Sequence, residues 1–219
     1  MKFIFCGDFV SQDPKSIQVD LRLQNLFKDA DYVAVNFEAP VRGVGKPICK
    51  SGPSLTQSED SPAFIENLGV NIIMLANNHM MDQDQEGCEA SIKAFKGETR
   101  IIGAGCFDDA YRLHVIEKDG VKVGLLCFVH KEFGALGLDA TSLDYGTAWI
   151  NHPMVNKTIL NAKKVCDVLV VLLMQVWKIW SFLFQSGELA TGSLSTWEPM
   201  QLSHLIHILH KDGKSTRGK

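Results

Sequence analysis

The 219-residue chain is predicted to fold as an α/β protein, on three observations. Short apolar runs rich in branched residues alternate with stretches of helical period, the pattern of strands separated by crossover helices. Three of the runs end in polar clusters: Gly7-Asp8 after Lys2 to Cys6, Asn36-Phe37-Glu38 after Tyr32 to Asn36, and Asn77-Asn78-His79 after Val70 to Leu75. Open α/β sheets place their chemistry in the crevice beyond the carboxyl ends of strands, where such clusters would sit.

In chain order, Lys2 to Cys6 reads as a buried strand and Gly7 as the small residue that permits a tight turn. Asp8 is then either a site carboxylate or an ordinary turn residue. A helix near Leu21 to Lys28 leads to the strand Tyr32 to Asn36 and so to Glu38. Val41 to Ser61 is a loop rich in Gly, Pro and Ser, where Lys50 in Lys50-Ser51-Gly52-Pro53 either meets an anionic group or is solvated. After the Val70 to Leu75 strand, Asn77-Asn78-His79 is either a site or the turn and cap chemistry of a helix from Asp84 to Phe95. A short strand near Arg100 to Ile102 precedes Gly103-Ala104-Gly105, a weak signal for a phosphate cradle because it is short and opens no helix. Tyr111 to Glu117 and Val121 to Val129, split by Lys118-Asp119-Gly120, read as a β-hairpin. A polar loop reaches Ile150, Pro153 to Val165 is helical, and Asp167 to Leu173 is another buried strand.

Twenty-two basic and 25 acidic residues give a net charge of -3, which provides no basic face for nucleic acid. The six cysteines form no C-x-x-C pair and read as reduced thiols of a cytoplasmic protein. Met1 to Cys6 is too short for the apolar region of a signal peptide. Val165 to Phe184 is long and apolar but carries Asp167 and Lys178, which argues against a membrane span.

Carboxylate, amide oxygen and imidazole at neighbouring strand ends form a mixed O/N donor set suited to Mn, Fe, Zn or Mg. Two such cations can activate a water and stabilise both oxygens of a hydrolytic displacement, while an imidazole protonates the leaving group. In that reading Asp8, Glu38 and Asn78 are metal ligands, His79 is the acid, and Asn36 and Lys50 bind a small-molecule or polymer substrate. The plain alternative is a satisfied polar rim on a doubly wound sheet.

Gly7-Asp8, Asn36-Phe37-Glu38-Ala39-Pro40, Lys50-Ser51-Gly52-Pro53 and Leu75-Ala76-Asn77-Asn78-His79 with Asp82, in that order, resemble the motifs of the CapA-type capsule synthesis (poly-gamma-glutamate synthesis) family. Gly103-x-Gly105, Ala110 and Lys122-Val123-Gly124 fall where the same pattern puts them. The resemblance covers about residues 2 to 173. That family is similar to the calcineurin-like metallophosphatases, so the resemblance implies an α/β/β/α sandwich, a dinuclear divalent-metal site with Asp8, Glu38 and Asn78 among its ligands, and His79 as the catalytic imidazole. Gln83 stands where the family has an aromatic residue followed by Gly.

The pattern next calls for His-x-Gly-x-Glu after the Asp167 to Leu173 strand and later for His-Pro-His; neither is present. From Met174 three tryptophans (Trp177, Trp180, Trp197) appear without coherent periodicity. Back-translating from Met174 and reading one nucleotide earlier permits HAGVEDMEF, and further on ASHPH, which supplies both motifs. The sequence therefore reads as an incomplete domain over residues 1–173 and an aberrant, frameshifted tail over 174–219, expected to be irregular and weakly packed. Two other functions compete with the metal-dependent hydrolase. One is an inactive fragment or non-catalytic binding module; the other, an FMN or nucleotide binder, lacks a phosphate loop.

Overall fold

The computed structural model describes residues 1–175, 178–185, 200–201 and 206–208, with side chains through residue 174. In chain order the elements are β1 (Lys2–Phe9), α1 (Leu21–Lys28), β2 (Tyr32–Phe37), α2 (Ser61–Asn67), β3 (Ile72–Met74), α3 (Asp84–Ala94), β4 (Arg100–Ile102), β5 (Ala104–Cys106), α4 (Phe107–Ala110), β6 (His114–Lys118), β7 (Val121–Val129), β8 (Tyr145–Thr147), α5 (Pro153–Val165), β9 (Val168–Gln175), β10 (Lys178–Gln185), β11 (Met200–Gln201) and β12 (Ile206–Ile208).

A strand that is apolar on both faces has to be covered on both, and this requirement sets the layers. In β9, Val168, Val170, Leu172 and Met174 enter one core, while Leu169 and Val171 enter another. In β7, Val123, Leu125, Cys127 and Val129 join the first, and Leu126 and Phe128 the second. The first core is shared with Phe3, Ala34, Ile72, Met74 and Ile102 of β1 to β4, so it lies between two sheets. The second is closed by Ala110 of α4 and by Val155 and Ala162 of α5. A third core packs Ile4, Val33, Val35 and Ile73 against Phe27 of α1, Ile65 of α2 and Cys88 of α3. The result is the expected α/β/β/α sandwich.

The first sheet runs β12-β1-β2-β3-β4 and the second β11-β10-β9-β7-β6. Strands β1 to β4 are parallel neighbours, as crossover connections require. Strands β7 and β9 are also parallel. β6 and β7 make the hairpin expected at Asp119-Gly120, whose φ values of 56° and 75° are those of a turn matching strand twist. Tyr111, expected in that hairpin, instead follows α4, and its hydroxyl exchanges hydrogen bonds with the backbone of Trp149.

α1 starts at Asp20, whose carboxylate accepts the Arg22 amide at 2.8 Å. α5 starts at His152, whose Nδ1 accepts the Met154 amide at 3.1 Å, with Pro153 in the first turn. α2, at seven residues with Pro62 in its first turn, emerges from the end of what the sequence offers as loop. All six cysteines are free.

Within the segment expected to be irregular, Lys178–Gln185 is a strand, antiparallel to β9 from Lys178↔Gln175 to Gln185↔Val168, and most of the remaining tail lies outside the described residues. Its sequence, K-I-W-S-F-L-F-Q, is rich in aromatic and branched residues that suit a pleated surface, and pairing with β9 satisfies its backbone. Weak packing of the tail would leave Trp177, Trp180 and Phe182 exposed, and those side chains lie outside the described ones.

Gly103-Ala104-Gly105 has a packing role. Gly103 has φ +91°, and a Cβ there would lie 2.7 Å from Ala76 Cβ and 3.0 Å from Cys127 Cβ, across the inter-sheet core. Gly103→Ala is therefore expected to lower stability by about 2–3 kcal/mol in urea unfolding, combining a left-handed conformation with overpacking.

Candidate active site at the strand ends

Regular alternation along β1 would turn Asp8 toward the helices, because Ile4 and Cys6 face that way. Phe5 lies opposite Ala34 and Asp8 opposite Asn36, so three steps on β1 answer two on β2. This bulge carries the strand to Phe9, beyond the expected end at Cys6, and returns Phe9 to the helix side. Asp8 thereby shares the inter-sheet face with Asn36.

Asn36 is 2% exposed, and its amide nitrogen donates to Asp8 Oδ1 at 2.7 Å and to Glu38 Oε2 at 2.6 Å. The two carboxylate oxygens can be no further apart than these bonds laid end to end. Asn77 fixes the amide from behind: its Nδ2 donates to Asn36 Oδ1 at 3.1 Å and to the Phe37 carbonyl at 2.9 Å. Asn77 Oδ1 in turn accepts the amides of His79 at 3.0 Å and Met80 at 2.7 Å, closing the turn after β3. Asn78 is half-buried, and its side chain makes none of these bonds.

A second network adjoins the first. His79 Nδ1 lies 2.7 Å from Asp82 Oδ2, which also accepts the Leu55 amide at 2.7 Å. Asp82 Oδ1 holds the Lys50 ammonium, which is 3.2 Å from His79 Nδ1. Asp82 is fully buried and the Lys50 side chain is 4% exposed. The Asp82 carbonyl accepts the Ile48 amide at 3.2 Å and the Ser54 hydroxyl at 3.1 Å, so one residue docks most of the Gly/Pro/Ser loop.

Burial, reinforced by the charge of Asp8, pushes the Glu38 carboxyl up to about 8, against the Asn36 hydrogen bond; Asp82 raises it further and Lys50 opposes. Of these groups Asn36 lines a cavity between the sheets, with Met74, Ala76, Cys127, Leu172, Leu173 and Met174.

Six site residues were expected from sequence. Asp8, Asn36 and Glu38 are brought together by direct hydrogen bonds, and His79 is tied to them through Asn77. Lys50 reaches His79 from 29 residues away, but its ammonium is turned onto Asp82. Asn77 and Asp82 carry the two networks and were not among the six, although both stand in the motif from Leu75 to Asp82. The repeated amide in Asn77-Asn78 hides the role of the first; for the second the signals are its place in that motif and a carboxylate three residues after an imidazole.

A like-charged carboxylate pair bridged by one N–H₂ group fits a cation in charge and donor type, since hard cations take oxygen ligands. Asp8, Glu38 and Asn78, whose side chain makes no hydrogen bond among the described residues, are the residues that would hold it. Among the described residues no group of three or more His, Cys, Asp or Glu side chains is disposed around one point to hold a metal ion.

Fold and site together define a four-layer α/β/β/α protein with an acidic crevice at the carboxyl ends of its parallel strands. The chain belongs to the bacterial capsule synthesis protein PGA_cap family, whose model matches residues 3–186. It is 32% identical over 141 residues to the capsule biosynthesis protein CapA of Bacillus anthracis, covering 62% of this chain and 34% of that protein. It is 28% identical over 158 residues to the PGA biosynthesis protein CapA of Bacillus subtilis (strain 168), covering 68% of this chain and 40% of that one. The chain thus matches well under half the length of these relatives. A solved structure described as a novel phosphatase from Mycoplasma pneumoniae is a distant likeness, with 19% identity, 80% of this chain and 55% of that chain covered, and a TM-score of 0.45.

Proposed function

We propose that the chain carries the site of a metal-dependent phosphoesterase-like hydrolase acting in capsule or poly-gamma-glutamate synthesis, in the cytoplasm, at a level impaired by an incomplete ligand set. The observation that carries the reading is the Asp8–Asn36–Glu38 bridge, two carboxyl groups brought onto one amide at strand ends. Asp8, Glu38 and Asn78 are the ligands of a divalent cation, Mn, Fe, Zn or Mg. Such a cation would supply Lewis-acid polarisation of a phosphoryl oxygen and a water of lowered pKa. Asn36 holds the two carboxylates in register, and His79 delivers a proton to the leaving oxygen through Nε2. The impairment follows from Met174, an apolar residue lining the cavity at the end of β9, where the family resemblance calls for an imidazole.

The test is metal content of the purified protein together with turnover of a chromogenic phosphodiester at added Mn. The expected result is substoichiometric Mn and slow turnover, both lost in Asp8→Asn. His79→Gln should lower kcat about 10²–10⁴-fold with metal content unchanged. Restoring the nucleotide inferred to be missing near codon 173 should raise both metal content and rate. A second reading, a non-catalytic module, is favoured by the absence of a three-donor cluster among the described residues. Mn retention with no turnover in either the chain as it stands or the restored one would establish that reading instead.

A further inference from the structure

The Lys50–Asp82–His79 cluster does something the carboxylate bridge does not. A carboxylate oxygen 2.7 Å from an imidazole nitrogen requires a proton between them, so His79 Nδ1 carries hydrogen and Asp82 Oδ2 accepts it. Lys50 Nζ is 3.2 Å from that same Nδ1, but a protonated Nδ1 has no lone pair to offer, and the ammonium is bonded to Asp82 Oδ1. Oδ2 also takes the Leu55 amide at 2.7 Å, which anchors the carboxylate in a single orientation. His79 Nε2 has no hydrogen-bond partner among the described residues, and the side chain keeps 14% exposure, so Nε2 is the nitrogen left open.

We propose that Asp82, neutralised by the buried Lys50, is a positioning residue that holds His79 as its Nδ1–H tautomer with Nε2 as the reacting nitrogen, and that Lys50 acts on the histidine through Asp82 and not on substrate. The physical basis is that the partner of one ring nitrogen decides what the other can do. A buried carboxylate can serve as that partner only if its own charge is compensated, and the compensating cation comes from the Lys50 loop, 32 residues away in sequence. The tautomer therefore depends on the docking of that loop. The inference rests on the reading of His79 as the site imidazole, but its primary test does not need activity.

The experiment is long-range ¹H–¹⁵N correlation of histidine-labelled protein above the ordinary histidine titration range, with the His79 ring among seven histidines assigned by its loss in His79→Gln. The expected wild-type result is a protonated Nδ1 and an unprotonated Nε2. Asp82→Ala should reverse the two signals. The double variant Lys50→Met with Asp82→Asn keeps an oxygen acceptor while removing both charges, and should retain the wild-type pattern, which guards against Asp82→Ala simply failing to fold. A wild-type ring protonated at Nε2, or an Asp82→Ala ring still protonated at Nδ1, overturns the proposal. In phosphodiester turnover the double variant should leave KM unchanged; a rise in KM with kcat intact would make Lys50 a substrate ligand and overturn its part. Absence of turnover in the wild type would sink the hydrolase reading, while the tautomer pattern still decides this one.

Discussion

Lys50→Met is expected to lower stability by about 3–5 kcal/mol, the usual consequence of removing one partner of a buried ion pair. With Lys50 gone, the fully buried Asp82 retains the Leu55 amide and His79 but no opposing charge. The loss should show as a lower midpoint in urea unfolding with an unchanged slope. Lys50→Met combined with Asp82→Asn, in which no charge is left uncompensated, should recover most of it. If the single and double variants unfold at the same midpoint, the pair contributes nothing as a pair. The experiment also separates a structural lysine from a solvated one, since an exposed pair is worth ~1 kcal/mol or less.

The second large effect is a pH dependence centred on Glu38. Its carboxyl is raised from 4.5 to about 8 by burial and by the charge of Asp8. Below the unfolded value both states hold the proton and the protein keeps its full stability. As pH rises through the interval up to about 8, the unfolded chain gives up the proton while the folded one is penalised for doing so, and stability falls. Allowing for partial exposure, the loss should be on the order of 2 kcal/mol between acidic and mildly alkaline conditions in chelator. Glu38→Gln should abolish that slope and make the protein more stable than wild type at pH above about 8, the trade of stability against function common at sites. A wild-type profile flat across this range, or a Glu38→Gln variant that retains the slope, would place the carboxyl in a different environment.

Much of the architecture was legible because it depends on pattern. The runs at Val121 to Val129 and Asp167 to Leu173 are apolar on both faces, which demands two covering layers, and α1 and α5 begin and end where their caps and apolar periods put them. The boundaries that shifted did so for tertiary reasons. β1 runs past Gly7-Asp8 because its neighbour β2 continues to offer partners, and Lys178–Gln185 is ordered against β9 despite lacking any clear period. At the site, the residue types were legible and the wiring was not. Asp8, Asn36 and Glu38 share hydrogen bonds at the strand ends, but nothing in a linear sequence says that Lys50 will be buried on Asp82, because that depends on how the loop of residues 41–61 folds back over the turn after β3.

The extra residue in β1 makes the crevice a matter of counting. Side chains on a strand have only two directions, so a chain that needs hydrophobic residues inward up to Cys6 and again at Phe9, with a carboxylate facing the opposite way between them, has to break the odd–even sequence once. Deleting Gly7 would take out that extra residue and restore plain alternation, with Asp8 still directed to the inter-sheet face beside Asn36 and Phe9 to the helix side. A point substitution at Asp8 removes one charge; a one-residue deletion beside it would straighten the strand and keep both destinations. The segment should therefore tolerate many replacements at Gly7, where a Cβ meets nothing within 4 Å, and the loss of Gly7 as well.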